Sequence, residues 1–212
     1  MSMHKGGPQA TGAGDDVRFV VRTRSGAEVA VMAGPSVTEL SYGQRQQLER
    51  ESPSRGRRRR GPDLTYNCHG MTFVNRMGWV GAQRAPRLVL PSLRSPAAKD
   101  PDSDVLAMLT GNGYCCTCRV PNYQVDPMPR RPAVDLGDVI LYRNRAQPEG
   151  HQIGHSGIVV AVEEGGAAGG GIDDIKVLSK MGMAGEYLHS YRDAPEVYGR
   201  TIEIWSDRED VR

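Results

Sequence analysis

The stretch Tyr66-Asn67-Cys68-His69-Gly70-Met71-Thr72-Phe73 sets a cysteine where a turn hands over to a helix. The N–H groups of a first helical turn have no intrahelical partners and the helix dipole is positive there. A thiolate at that place is stabilised and gains nucleophilic character. The same N–H groups can hold an oxyanion. Acyl transfer by a thiolate also needs a base that takes the thiol proton and returns it to the leaving group. His155 is the candidate, opening the run Gly154-His155-Ser156-Gly157-Ile158-Val159-Val160 at the beginning of a core strand. A polar residue on the adjacent strand Ile175 to Ser179 would fix the imidazole tautomer, with Ser179 or the backbone near it as the acceptor. His69, one residue after the thiol, points elsewhere on the helix and reads as a structural or substrate-contacting side chain. A cysteine alone is most often a small buried hydrophobe. The chemical reading therefore rests on helix start and strand-borne histidine occurring together.

A resemblance follows from these residues. Cys68 heading a helix, then Gly137-Asp138-Val139, then His155-Ser156-Gly157-Ile158-Val159, resembles papain-like enzymes of the NlpC and CHAP types, which are cysteine peptidases or amidases. Their cysteine motif usually reads Asp-Cys-Ser-Gly, and Asn67-Cys68-His69-Gly70 differs from it at two positions. The likeness spans about Asp63 to Trp205. It implies an α+β papain-like fold, a nucleophile helix packed on a mostly antiparallel β-sheet, with an N-terminal extension. It implies a thioester at Cys68, general acid/base work by His155, and a third polar residue on the following strand. Those families commonly use His, Asn, Gln or Glu at the third position, whereas this chain offers Ser179 and Lys180, with His189 farther along. A charged Lys180 cannot accept a hydrogen bond, which leaves Ser179. The implied substrate is a peptide or peptidoglycan-like amide, and no cofactor is implied. Two alternatives use the same residues: an acyltransferase working through the same Cys-His pair, and a catalytically inactive papain-like binding module.

Other reactive groups carry less. Cys115-Cys116-Thr117-Cys118 contains a Cys-x-x-Cys spacing, but no second pair follows at a spacing zinc would use, so packing is expected rather than a metal site. Arg57 to Arg60 could attract a weak acidic partner. No aromatic residue is interleaved with these arginines for base stacking, so specific nucleic-acid recognition is not expected. The Gly-rich run Gly165 to Gly171 lacks the spacing and lysine of a phosphate-binding loop.

The positioning elements are short. A β-hairpin is expected from Val17 to Thr23 and Ala27 to Met32, and an exposed helix over Leu40 to Glu51 behind the capping pattern Ser36 and Glu39. Phe73, Met77 and Val80 recur at helical spacing and predict a helix from Cys68 to Val80. A second helix should follow Asp102, with Val105, Leu106 and Leu109 inward and Gly111 stopping it. Strands are expected at Tyr114 to Val120, Val139 to Tyr142, Ser156 to Val162, Ile175 to Ser179 and Thr201 to Trp205, with a loop over Glu163 to Gly171.

The domain reading is a disordered start at 1–16, an accessory hairpin and helix at 17–51, an Arg-rich linker at 52–62, the catalytic domain at 63–205 and a tail at 206–212. Composition agrees with one loop-rich globular domain: 212 residues, 38% hydrophobic, 26 Gly and 14 Pro. A net charge of +2 disfavours a general polyanion binder. Apolar runs such as Ile158 to Val162 fall far short of the roughly 20 residues of a membrane-spanning helix. Met1 to Asp16 shows no apolar segment of the signal-peptide kind, so the expected address is the cytoplasm, or export by another route.

Overall fold

In the computed structural model, the structure describes residues 9–11, 18–33, 42–43, 46, 52–61, 66–75, 88–89, 101–126, 133–164, 172–182 and 184–211. The elements in chain order are β1 (Gln9–Thr11), β2 (Arg18–Arg22), β3 (Glu28–Ala33), β4 (Arg57–Arg60), a π-helical turn (Gly70–Asn75), β5 (Leu88–Val89) and α1 (Pro101–Gly111). Then follow β6 (Cys115–Val120), β7 (Val139–Arg143), β8 (Ile153–Glu164), β9 (Ile172–Lys180), β10 (Glu186–Ser190) and β11 (Thr201–Ser206). The main sheet has seven strands in the order β4-β10-β9-β8-β7-β11-β6, every pairing antiparallel. A smaller sheet has the order β1-β2-β3-β5. Helices are few among the described residues, so the fold is mostly β with an α+β character.

Strand β7, Val-Ile-Leu-Tyr-Arg, lies inside the sheet, and alternation sends successive side chains to opposite faces. Val139 and Leu141 join Phe73, Val105, Met108, Leu109 and Ile153 in one apolar cluster. Ile140 and Tyr142 join Val159, Val177, Tyr191 and Ile204 in another. Both faces are therefore covered, which is why β7 is apolar at four consecutive positions rather than alternating. We call these the helix face and the tyrosine face.

The hairpin expected near residue 20 is β2 and β3, in register from Arg18↔Met32 to Arg22↔Glu28. It is not merely accessory, because Val29 is buried in the helix-face cluster and a side chain at Gly111 of α1 would strike Thr23. Helix α1 starts at Pro101, a residue suited to a first helical position. Its Asp102 accepts the backbone N–H groups of Gln152 and Ile153 at 3.0 and 2.9 Å, tying the helix to the start of β8. Val105, Met108 and Leu109 are its fully buried residues, while Leu106 is only partly covered. The chain leaves the helix through Gly113 at φ 86.

Two expectations need correction. Residues 57–60 are not linker but the edge strand β4, paired with β10. Strand β10 itself, Glu-Tyr-Leu-His-Ser, had no apolar pattern to announce it. Strands β8 and β9 are also longer than expected, so that Glu163 and Glu164 belong to β8. The helix expected over Leu40 to Glu51 falls mostly outside the described residues, as do the second half of the Cys68 to Val80 helix and the glycine loop at 165–171.

The Gly-Asp pair before β7 has a structural account. Gly137 adopts φ +88, a left-handed conformation that favours glycine. Asp138 is buried, accepts the N–H of Asp135 at 2.7 Å, and takes the Arg208 guanidinium at 3.3 and 3.0 Å on its two oxygens.

Candidate active site

Asn67 is the local reason for the turn at Cys68. Its side-chain oxygen accepts the N–H of Gly70 at 2.7 Å while its carbonyl takes the N–H of Met71 at 2.9 Å, the pattern of a helix N-cap. Cys68 is then the first helical residue, and it is buried at 4% exposure. Burial pushes its thiol up to about 11, against the pull of backbone N–H groups from Ser156, His69 and Cys68 itself and of the positive charge on Lys180.

The groups around it on the helix face form two sets. In the first, His69 Nδ1 is 2.7 Å from Ser156 Oγ, and the Ser156 hydroxyl donates to Thr72 Oγ1 at 3.0 Å. All three are fully buried, and His69 also stacks on Phe73 with centroids 6.1 Å apart. Burial pushes His69 down to about 3, with the Ile153 carbonyl opposing the shift. This set clamps the helical turn to β8.

In the second set, Lys180 is fully buried, donates to the Gly182 carbonyl and lies 4.9 Å from the centroid of the Tyr66 ring. Tyr66 donates its hydroxyl to Glu186 at 2.7 Å, and Glu186 sits opposite both Lys180 and Arg60 across the sheet. The Arg60 Nε is 3.6 Å from Glu186. Burial is the main cause that holds the Tyr66 phenol well above its ordinary value, with Glu186 adding to it.

His155 has a different setting. It pairs with Tyr142 across β7 and β8, which puts its ring on the tyrosine face, while the next residue, Ser156, reaches the helix face. The ring stacks on Tyr198 at 4.3 Å and 16°, and lies 5.4 Å from Tyr142. It is fully buried, and neither ring nitrogen has a hydrogen-bond partner among the described residues. Burial, then the positive fields of His189, His69 and Lys180, hold it well below its ordinary value.

Ser179 shares that face but does not orient His155. It is engaged by His189, whose Nε2 is 2.8 Å from Ser179 Oγ and whose Nδ1 is 2.7 Å from the Ser190 carbonyl. A carbonyl can only accept, so Nδ1 carries the proton and Nε2 accepts from the Ser179 hydroxyl. Burial lowers the His189 pKa and keeps this ring neutral. The structure therefore puts Ser179 on the same face of the sheet as the His155 ring and Cys68 on the opposite, helix face. It joins neither to the His155 ring by a hydrogen bond.

Sequence reasoning missed the roles of Tyr66, Thr72, Ser156 and Glu186. Only Asn67 left a local signal, as a capping residue type before a helix. The cysteines of β6 are free thiols, Cys116 exposed and Cys115 and Cys118 half-buried. Among the described residues no three His, Cys, Asp or Glu side chains converge as a metal site, and no helix is long and apolar enough to cross a membrane. No family model, curated protein or solved structure matches the chain, so function has to be argued from this geometry.

Proposed function

We propose that the chain is a papain-like cysteine hydrolase that cleaves an amide bond in a peptide or peptidoglycan-like substrate, with Cys68 as nucleophile and His155 as general base. The observation that carries this reading is the placement of Cys68 as the first residue of a helical turn capped by Asn67. The N–H groups of Ser156 and His69 that meet the sulfur supply donors for a thiolate. Lys180 adds a positive field.

In the reaction, His155 takes the thiol proton and the sulfur attacks the carbonyl carbon. The C–N bond breaks as the amine receives that proton, and water then cleaves the thioester to release the acid. In this conformation burial favours the protonated thiol and the neutral imidazole. The His155 ring lies on the tyrosine face of β8 and Cys68 on the helix face, so side-chain rotation alone cannot join them, and assembly of the pair requires β8 to turn over or shift register at His155. A buried imidazole with both nitrogens unpaired is costly to keep, and a group that engages only in the reactive state accounts for it.

The competing reading is a catalytically inactive papain-like binding module, favoured by the enclosure of His155 between Tyr142 and Tyr198. Incubation with the p-nitrophenyl ester of an acetylated dipeptide, read by intact mass and peptide mapping, separates the two. Hydrolase chemistry gives a transient acyl adduct on Cys68, lost in Cys68→Ala and slowed at least tenfold in His155→Gln. No adduct at Cys68, or equal acylation without His155, sinks the proposal. Adding an amine acceptor to the same reaction distinguishes hydrolysis from acyl transfer.

A further inference from the structure

We infer that β4 is a docking strand for an extended acidic peptide segment, held by guanidinium–carboxylate pairs along Arg57, Arg58 and Arg59. Strand β4 is the last strand at one edge of the seven-stranded sheet, and its four arginines are all exposed. Arg60 is engaged by Glu186. Among the described residues no carboxylate pairs with Arg57, Arg58 or Arg59, so three adjacent positive charges stand uncompensated on a rigid element. The neighbouring charges do cancel. The charged residues lining the cavity of about 790 Å³ beside β4 are Arg55, Lys176 and Arg192 with Glu163, Asp174 and Asp193, and there Lys176 pairs with Asp174 and Glu163. Arg192 gives its guanidinium to the carbonyls of Tyr123 and Gln124.

The register decides what kind of ligand fits. Arg57 stands opposite Leu188, Arg58 opposite Tyr187 and Arg60 opposite Glu186, so Arg59 is the extra residue of a bulge. A bulge interrupts the outer row of backbone groups, which makes simple addition of another strand unfavourable and leaves recognition to the side chains. Arginine suits that task, since its planar fork grips a carboxylate with two parallel hydrogen bonds. The charge forms a line one strand wide, flanked by the acids of the cavity. An extended peptide can follow such a line. A nucleic acid is disfavoured because no aromatic residue stands among these arginines to stack a base, in a chain whose net charge is only +2.

The inference does not depend on Cys68 being a nucleophile, and the test keeps them apart. A fluorescein-labelled octapeptide of alternating Glu and Thr is titrated by anisotropy against the full chain and against Cys68→Ser, at low and at half-molar salt. Both proteins should bind it alike, and salt should weaken binding. The triple variant Arg57→Ala, Arg58→Ala, Arg59→Ala should bind about tenfold more weakly or worse. The triple Gln variant should do the same, and it serves if the Ala variant melts early. Absence of peptide binding, undiminished binding by folded triple variants, or tighter binding of an oligothymidylate of equal charge overturns the inference.

Discussion

Burial and backbone donors pull the Cys68 thiol in opposite directions, and burial wins. With its pKa pushed up to about 11, roughly one molecule in a thousand carries the thiolate at pH 8. Cys116 is exposed, so iodoacetamide at pH 8 should label Cys116 first in the native protein and reach Cys68 only slowly. Peptide mapping over time checks this, and rapid labelling of Cys68 would show that the site opens readily without substrate. Ser156 offers a second test. Ser156→Ala strips partners from His69 and Thr72, both fully buried, and should destabilise the fold by about 2 kcal/mol, seen as a lower urea midpoint. An unchanged midpoint would mean the helical turn is held by something other than this clamp. Cys68 and His155 could be singled out in the sequence because each heads an element with a recognisable pattern. Tyr66, Lys180 and Glu186 could not, because their meeting depends on the register of β9 against β10, which no local spacing encodes.

Among the elements, β7 and the middle of β8 were legible because apolar runs bounded by Gly and polar residues mark buried strands. β4 and β10 were not. Strand β10 carries Glu186 and His189 at buried positions, tolerable only because Tyr66 and Ser179 satisfy them, and β4 is four exposed arginines with no apolar position. Close packing between β8 and β9 gives an element-scale prediction. A methyl group at Gly157 would lie 2.5 Å from Val177 Cγ1 and 2.9 Å from Ser179 Cβ. Gly157→Ala should therefore force the two strands to shift, at a cost of about 1–3 kcal/mol. It should also loosen the Ser179–His189 pair, so that amide exchange in β9 and β10 speeds up together. A variant with native stability and exchange would show that these strands have slack.

At the scale of the molecule, three histidines from two faces of one sheet are held neutral by burial: His69, His155 and His189. No local pattern marks this shared property, because it follows from two cores closing over both faces of the same sheet. It sets how the fold responds to acid. Each folded-state pKa is depressed below about 6.5, so as pH falls the unfolded chain takes up protons that the folded chain refuses. Their contribution is fully present above about pH 6.5 and is lost progressively toward the folded pKa, which for His69 is about 3. His69 alone costs about 1.4 kcal/mol per pH unit between about pH 6.5 and pH 3, and His155 and His189 act in the same direction. Few domains have more than about 5 to 15 kcal/mol to lose, so acid unfolding is expected below pH 6.5. Thermal melts at a series of pH values should show the midpoint falling steeply below pH 6.5. His69→Gln, His155→Gln and His189→Gln should each flatten that slope. A melting temperature constant from pH 7 to pH 4 would mean that these rings reach solvent, and with it that the site is open at rest.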